Sequence, residues 1–459
     1  MSIIKQVIDR STPPRSAELS KMAFPKYEVL QLSCGVPVYL VENHNQPLVS
    51  ISLYFRAGSS CDVPGKEGIA SLTTELLSRG TTSRTATEIA EQIDFCGASL
   101  GSSAGWDAST VSASSLTRFL PTAIDLLSDI TLNPVFAVEE LDRARLQRLA
   151  GIKHAKSDPG YLADTIFAKE VYGDHNYGLE SGGTENSISF VQREQLQEFH
   201  TAHCNPDDAF FIVAGDVSEA EITGLLNAKF ASWKGSNAAQ SISVNTLETR
   251  SRVSLVQKPQ AVQSALRVGH SGIARTHPDY IKCYVMNMLL GGYFNSRINA
   301  NLREKNGFTY GARSFFDARK QTGAFVVSTE VRTEVTAQAT YEILNEMKKI
   351  RSEPVTDDEL SMVKNYIIGS FPLSIETPQQ VAGRLSLIPL YGVASDYYDT
   401  FRSVIAAITK EDLLQTAETY LQPDAVTIVA SGDAEALKKE MGTFGDVSVF
   451  DQNFSRTGL

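Results

Sequence analysis

Two periodicities of apolar residues alternate along the chain, one typical of strands and one typical of helices. Short apolar runs bounded by turn residues predict strands at residues 38–41, 49–56, 109–115, 210–213, 324–331 and 426–430. Helical spacing predicts helices at residues 67–79, 86–96, 117–130, 137–156, 191–203, 278–290, 333–350 and 357–370. Because helices and strands do not alternate strictly, an α+β fold is predicted rather than a doubly wound parallel sheet.

One succession of elements occurs twice. Residues 193–216 and 410–433 align without a gap, and each reads as an amphipathic helix, a Pro-Asp turn, an apolar strand and a Gly-Asp turn. The Gly-Asp pairs Gly215-Asp216 and Gly432-Asp433 are 217 residues apart. A constant offset of this kind predicts duplication of a unit of roughly 220 residues.

The duplication predicts two halves joined by a polar connection. Residues 234–250, KGSNAAQSISVNTLETR, lack helical periodicity, as expected of a linker. We therefore divide the chain into an N-terminal lead-in (1–22), a first half (23–233), this linker and a second half (251–459).

Composition narrows the class of protein. The 459 residues are 42% hydrophobic with a net charge of −11, which suits packed cores and argues against nucleic-acid binding through a basic surface. No apolar run approaches the roughly 18 residues of a membrane span, and the N-terminus does not resemble a secretory signal. The five cysteines are far apart and form no C-x-x-C, a pattern typical of reduced thiols. We expect a soluble, cytoplasmic protein with no membrane span and no nucleic-acid partner.

Motifs for nucleophilic and phosphate chemistry are weak. Residues 101–105 spell G-x-S-x-G, but a helix is not predicted after them, so Ser103 is interpreted as part of a small-residue loop or strand. The pair Gly291-Gly292 follows a predicted helix and is interpreted as its C-terminal stop rather than a phosphate-binding loop.

Metal-binding motifs are also weak. His200 and His203 lie three residues apart on a predicted helix and are interpreted as partly exposed helix residues. Neither H-E-x-x-H nor H-x-x-E-H occurs in the sequence, so no mononuclear catalytic zinc site can be read from it.

The predicted helix 67–79 carries apolar Ile69, Leu72 and Leu76 at helical spacing and stops at Gly80. It resembles the zinc-binding helix of the insulinase-like peptidases, a superfamily that includes pitrilysin and mitochondrial processing peptidase. Family enzymes carry H-x-x-E-H there.

In this chain those positions hold Ser71, Thr74 and Glu75, and the third ligand, a glutamate, would fall near Ala150 or Gly151. The resemblance therefore implies that this chain has no metal site and no cofactor of its own.

The resemblance extends over nearly the whole chain. Residues 27–41 look like the opening strand pair of the family, with Cys34 in place of the usual asparagine. The Asp158-Pro159 turn and residues 172–178 and 213–216 are also similar to the family. The fold it implies has two homologous halves, each a mixed, mostly antiparallel sheet packed with helices, which face each other like a clam shell.

A further segment carries Arg303, Gly307 and Tyr310. The residues alone predict a helix ending at Gly307 in a left-handed conformation and a strand beginning near Phe308, with a structural Arg–Tyr contact at the corner as the favoured interpretation. The segment resembles the R-x-x-x-G-x-x-Y element of the family. That resemblance implies that Arg303 and Tyr310, positioned by Gly307, bind the substrate backbone and stabilise the oxyanion.

The resemblance thus implies a bacterial subunit that lacks H-x-x-E-H and keeps the Arg/Tyr pair. We expect a non-zinc subunit of a heterodimeric zinc metalloendopeptidase, inactive alone, whose homologous H-x-x-E-H partner supplies zinc. Its substrates would be unfolded peptides, added as a strand at the sheet edge expected near residues 97–103. A homodimer of the isolated chain is left open.

Two alternatives are kept. The first is a protease-derived structural or scaffold subunit without a peptidase role, similar to core subunits of respiratory complexes. The second is the substrate-binding subunit of a presequence-processing peptidase, although the long glycine-rich loop of that subunit is not visible here.

Overall fold

The computed structural model describes residues 23–235 and 251–457. The lead-in 1–22 and all of the linker except its first two residues lie outside the described residues, so the proposed division into domains stays a prediction. No helix in the described ranges is long and apolar enough to cross a membrane.

Thirteen strands are present in the described part of the chain. They are β1 (Glu28–Gln31), β2 (Pro37–Glu42), β3 (Leu48–Phe55), β4 (Ser99–Ala104), β5 (Ser109–Leu116), β6 (Ala209–Gly215), β7 (Arg252–Gln257), β8 (Gln263–Gly272), β9 (Ala312–Ala318), β10 (Gly323–Arg332), β11 (Thr427–Gly432), β12 (Asp446–Phe450) and β13 (Arg456–Thr457).

These strands form two sheets of the same design. The first-half sheet has the order β1-β2-β6-β3-β5-β4, and the second-half sheet has the order β13-β12-β7-β11-β8-β10-β9. Most neighbours are antiparallel, and the parallel pairs are β2 with β6, β7 with β11 and β7 with β12. The five-strand order β2-β6-β3-β5-β4 is repeated as β7-β11-β8-β10-β9, as the predicted duplication requires.

Seventeen α-helices accompany the sheets in the described ranges. They are α1 (Ile69–Leu76), α2 (Ala86–Cys96), α3 (Leu120–Leu132), α4 (Val138–Ala155), α5 (Pro159–Tyr172), α6 (Glu185–Ser189), α7 (Arg193–His203), α8 (Glu219–Phe230), α9 (Tyr280–Asn287), α10 (Arg297–Asn299), α11 (Thr336–Ser352), α12 (Asp357–Ser370), α13 (Pro378–Leu385), α14 (Leu387–Tyr391), α15 (Tyr397–Ala407), α16 (Lys410–Tyr420) and α17 (Ala434–Met441).

The predicted α+β fold with two homologous halves is confirmed, and each predicted strand and helix has a counterpart. Helices α7 and α16 begin 217 residues apart, which is the offset read from the sequence. Several predicted boundaries differ by a few residues, and two of these differences flank the Arg303–Tyr310 segment. Helix α9 ends at Asn287 and continues as a π-helical turn, Met288–Gly292, and the strand expected near Phe308 begins at Ala312. Phe308 is instead buried in the core, where it anchors the irregular segment before β9.

Each half lends a helix to the sheet of the other half. Helix α5 belongs to the first half, yet its residues Leu162 and Ile166 are buried in one apolar cluster with Val256, Ala265 and Val429 of the second-half sheet. Its main partners are β8 and β11. The helix therefore covers the face of the second-half sheet that the second half's own helices leave open.

Helix α13 of the second half packs in the same way on the sheet of the first half. Val381 and Leu385 of this helix share an apolar cluster with Phe210 and Ile212 of β6. Phe211 of β6 points the other way, into the core of the first half. Because β6 is buried on both faces, its sequence reads as a continuous apolar run rather than an alternating one.

A hairpin of the second half adds a third connection between the halves. Arg319, in the turn between β9 and β10, stacks over Trp106, Tyr172 and Tyr177, with its guanidinium carbon 4.2, 4.8 and 4.8 Å from the ring centroids. In the same turn the backbone N–H of Lys320 donates to Asp107 Oδ2 at 3.0 Å.

We predict that the halves unfold together, because neither sheet is covered without the other half. Leu385→Ala, in the second half, should lower the free energy of unfolding by about 2–5 kcal/mol, the usual cost of truncating a buried leucine. Both tryptophans, Trp106 and Trp233, lie in the first half, so their fluorescence in a urea titration reports on that half.

The midpoint of the tryptophan transition should fall in Leu385→Ala and stay unchanged in the control Leu373→Ala, whose side chain is exposed. An unchanged tryptophan midpoint, with an earlier separate transition by circular dichroism, would contradict the mutual dependence of the halves.

Candidate functional site

Helix α1 occupies the position of the predicted 67–79 helix and is anchored at its first turn. Both carboxylate oxygens of buried Asp62 accept hydrogen bonds from its N-terminal backbone, from Gly68 N at 2.8 Å and from Ala70 N at 2.9 Å. Gly68 has a φ of +91°, and a Cβ there would lie 2.9 Å from the backbone of Gly183. The helix thus starts at a fixed place with Leu72 and Leu76 in the core.

The three positions of the degenerate H-x-x-E-H motif lie on α1 as the sequence predicts. The Thr74 hydroxyl, at the position of the general base, is bonded to the carbonyls of Ala70 and Ser71, 3.1 and 3.0 Å away in its own helix. It is buried and supplies no carboxylate. Ser71 and Glu75 are half-buried.

A guanidinium joins the two ligand positions of this motif. Arg148 of α4 donates from Nη1 to the Ser71 hydroxyl at 2.9 Å and to the carbonyl of Gly182 at 3.2 Å. Its Nη2 forms an ion pair with the Glu75 carboxylate. A protein cation therefore lies between the side chains that would have to hold a metal.

These residues do not fit zinc. Zinc sites in proteins use thiolate, imidazole or carboxylate ligands, and here the single carboxylate is held by an arginine. Across residues 23–235 and 251–457, no group of three or more His, Cys, Asp or Glu side chains is placed to hold a metal ion.

Arg148, Ser71 and Glu75 together are called the Arg148 site below. This site adjoins a cavity of about 640 Å³ between the halves. Glu75 and Arg148 lie on its first-half wall, and Phe315 and Arg319 lie on its second-half wall. Most of the remaining surface is apolar or aromatic. It includes Trp106, Tyr161, Phe167, Tyr172 and Val326.

Strand β4 is one of the two edge strands of the first-half sheet and lies beside α1, where the sequence predicts a peptide-binding edge. The Ser102 hydroxyl donates to the carbonyl of Thr74 at 2.6 Å, which links the edge strand to the degenerate motif. Ser103 lies within this strand and not at a strand-to-helix turn, so the nucleophile-elbow geometry is not formed.

The Arg303–Tyr310 segment has a shape that the sequence predicts only in part. Gly307 has a φ of +61°, the left-handed conformation expected of it. Arg303 lies on a π-helical turn, Ala300–Lys305, with its guanidinium carbon 4.7 Å from the ring centroid of Phe294. Its Nε is 3.3 Å from a carboxylate oxygen of Glu304.

Tyr310 is 93% exposed, and its hydroxyl has no hydrogen-bond partner among the described residues. The structural Arg–Tyr contact favoured by the residues alone is therefore not formed. Neither residue lines the cavity between the halves. Strand β9 begins two residues after Tyr310 and reaches the cavity wall at Phe315, about 10 Å further along the strand.

The weaker candidate motifs have structural explanations. His200 Nε2 is 2.8 Å from the carbonyl oxygen of Thr131, and burial lowers the pKa of this histidine. The His203 ring contacts Phe199 in a tilted arrangement, with 4.6 Å between ring centroids. Gly291 allows close contact with β9, because a Cβ there would lie 2.3 Å from the Ser314 hydroxyl.

Arg148 is the residue of this site that the sequence analysis missed. Its signal was indirect: Glu75 remains at a ligand position although the metal ligands around it are lost. A half-buried carboxylate needs a compensating cation, and an arginine on the helix expected to carry the third ligand was a candidate.

Two family models match the chain. The model described as "Insulinase (Peptidase family M16)" matches residues 37–184, and the model described as "Peptidase M16 inactive domain" matches residues 191–367. Among curated proteins, the uncharacterized zinc protease YmxG of Bacillus subtilis is 24% identical over 76% of this chain and 85% of its own length. An uncharacterized zinc protease of Rickettsia bellii is 24% identical over 88% of this chain and 97% of its own length.

Solved structures agree in fold. The M16 inactive domain from Pseudomonas fluorescens has a TM-score of 0.84 and 27% identity over 88% of this chain and 98% of that one. A protease from Helicobacter pylori has a TM-score of 0.84 at 19% identity over 89% of this chain and 99% of that one. A chain of complex III from Candida albicans has a TM-score of 0.75 at 16% identity over 91% and 99% of the two chains. The last two likenesses show the fold alone.

We predict energetic coupling between Arg148 and Glu75. Arg148→Met should cost about 1–3 kcal/mol of folding stability, because it leaves a half-buried carboxylate without its charged partner. In the double variant with Glu75→Gln part of that loss should be recovered, giving a coupling energy of about 0.5–3 kcal/mol in a urea-denaturation cycle.

The control is Lys348→Met on α11, whose pair with Asp424 is exposed on both sides and should contribute less than about 1 kcal/mol. Strictly additive effects of the Arg148 and Glu75 variants would contradict the coupling.

Proposed function

The chain belongs to the insulinase family of peptidases, M16, and we propose that it is the subunit of a heterodimeric zinc endopeptidase that holds the peptide without binding zinc itself. The observation that carries the proposal is the Arg148 guanidinium bonded to Ser71 and paired with Glu75, the two ligand positions of the zinc helix. An enzyme of this family that acts alone needs a metal at these positions. The relatives named as zinc proteases support the class of reaction.

The second half supports a role in holding substrate. An exposed tyrosine hydroxyl without a partner in the described chain is free to donate to a ligand, and Tyr310 has that property. Arg303 is about one-third exposed in its side chain and keeps most of its donors available, since its ion pair with Glu304 uses Nε at 3.3 Å. A guanidinium and a phenol of this kind suit a peptide carbonyl and its developing oxyanion.

The proposed sequence of events uses surfaces from both halves. An extended peptide pairs with the open edge of β4, where backbone hydrogen bonds give affinity with loose sequence preference. When the partner chain supplies zinc, Tyr310 and Arg303 donate to the oxyanion that forms at the scissile carbonyl. The partner we propose is a homologous chain that carries H-x-x-E-H.

A scaffold role without peptidase activity is the second candidate. The contacts of Arg148 with Ser71 and Glu75 on α1 are equally consistent with a scaffold role, because a scaffold needs no metal. The exposed Tyr310 favours the peptidase subunit, since a purely structural tyrosine would be expected to pack or to bond within the chain.

We predict complementation. The purified chain alone should bind no stoichiometric zinc by elemental analysis and should cleave no unfolded peptide. Mixing it with a separately expressed H-x-x-E-H relative from the same genome should restore cleavage of a fluorogenic unfolded peptide. The matched control is that relative with its motif glutamate changed to glutamine, which should give no cleavage.

Zinc bound by the isolated chain, or cleavage by it alone, would refute the assignment as a non-zinc subunit. Failure of every zinc-bearing relative from the genome to give cleavage would instead favour the scaffold role.

We also predict that Tyr310→Phe lowers kcat of the complex by about 10²–10³, the usual effect of losing one oxyanion donor. The zinc content of the partner should not change, because the tyrosine is not a ligand. Tyr341→Phe, an exposed tyrosine on α11, is the matched control and should keep full activity. Full activity of Tyr310→Phe would remove the tyrosine from the mechanism.

A further inference from the structure

A second cavity lies wholly within the second half. It has a volume of about 140 Å³ and lies where α9, α12, α13 and α15 meet. That volume can hold several water molecules or one small anion. Its polar lining is made of arginine, tyrosine and serine side chains, which include Arg275, Arg384, Tyr280, Tyr284 and Tyr397. None of these residues belongs to the Arg148 site or to the Arg303–Tyr310 segment.

Arg275 is a buried cation without a counter-ion. Only 7% of the residue is exposed, and no carboxylate among the described residues forms an ion pair with it. Its guanidinium carbon is 3.8 Å from the ring centroid of Tyr280 and 5.2 Å from that of Tyr397, and Nη2 donates to the Tyr397 hydroxyl at 3.1 Å. Stacking orients the guanidinium but does not neutralise its charge.

A second arginine lines the same cavity. Arg384 of α13 is exposed, and it too has no ion-paired carboxylate in the described part of the chain. The buried charge of Arg275 without an acid is costly to maintain, since buried charges in proteins are normally paired, and Arg384 adds a second cation at the exposed side of the same cavity.

The remaining lining groups are suited to an oxyanion. Burial raises the pKa of Tyr280 and of Tyr284, so both phenols keep their protons at neutral pH and can donate. Neither hydroxyl has a hydrogen-bond partner within the described ranges. Guanidinium forks and hydroxyl donors around one point match the several acceptor oxygens of a phosphate.

We propose that this cavity is a binding site for a phosphate dianion, either inorganic phosphate or the phosphoryl group of a phosphomonoester. Two guanidinium charges match the two charges of the ligand, and the phenol hydroxyls complete its coordination. The site goes beyond the proposed peptidase role and does not depend on it, because none of its residues takes part in that role.

The test is a direct titration of the whole chain by isothermal calorimetry at about pH 8, where phosphate is chiefly dianionic, at constant ionic strength set with chloride. Inorganic phosphate and phenyl phosphate are the two probes, and acetate is the monoanionic comparison. Phosphate should bind with one site per chain and acetate should bind at least about tenfold more weakly. Binding of phosphate alone indicates the free anion, whereas tighter binding of phenyl phosphate indicates a phosphomonoester.

Two variants locate the site. Arg384→Ala changes an exposed side chain and should fold normally, and Tyr284→Phe removes one hydroxyl only. Arg384→Ala should weaken phosphate binding by about tenfold or more, the effect of one charge-assisted hydrogen bond, and Tyr284→Phe should weaken it measurably. The control Arg143→Ala removes an equal charge from the surface of α4 and should leave the affinity unchanged.

The proposal is overturned if neither phosphate nor phenyl phosphate binds, or if acetate binds as tightly as phosphate. It is also overturned if Arg384→Ala and Tyr284→Phe both bind phosphate with the affinity of the wild-type chain, because the anion would then bind elsewhere.

Discussion

The exchange of helices between the halves is the contact on which the rest of the structure depends. Each sheet has one face covered by helices of its own half and the other face covered by a helix of the opposite half, α5 in one direction and α13 in the other. A sheet with an uncovered apolar face is not stable in water, so the duplicated unit is complete only as a pair. The same exchange places the cavity between the halves, with Arg148 on one wall and Arg319 on the other.

Within that frame, the first half keeps the geometry of a zinc helix while its chemistry has changed. Helix α1 is still fixed at its first turn by Asp62, and Glu75 lines the cavity between the halves. The need for a positive charge beside Glu75 is met by Arg148, which also bonds Ser71 and the Gly182 carbonyl. A guanidinium can replace a metal as a structural cross-link between α1 and α4, but it cannot supply an activated water. The fold of this half therefore does not depend on a metal at these positions.

The sequence predicted what depends on local pattern. The apolar runs of β6 and β11 and the 217-residue repeat are local or periodic signals, and the structure has each of them. It predicted no helix at α5, where only the Asp158-Pro159 turn was recognised, and so did not predict which sheet that helix covers. It placed the strand after Gly307 too early, because the Thr309 hydroxyl accepts from the Gly311 N–H and donates to the Gly311 carbonyl, which replaces sheet hydrogen bonds at this segment. Arg148 was missed because its partners are 73 and 77 residues away and meet it only through the packing of α4 on α1.

Arg148 and Arg275 are both at least partly buried, but they differ in the groups that surround their charges. Arg148 has a carboxylate, a hydroxyl and a carbonyl around it, so its charge is neutralised by groups of the chain itself. Arg275 is more deeply buried and has two aromatic faces and one phenol, but no acid among the described residues. Burial of a charge without a counter-ion is unfavourable. The buried Arg275 guanidinium is therefore stabilised either by the surrounding dipoles alone or by a bound anion. The stacked rings and the vacant phenol hydroxyls of Tyr280 and Tyr284 favour the anion, because they fix donors in place and leave them unused.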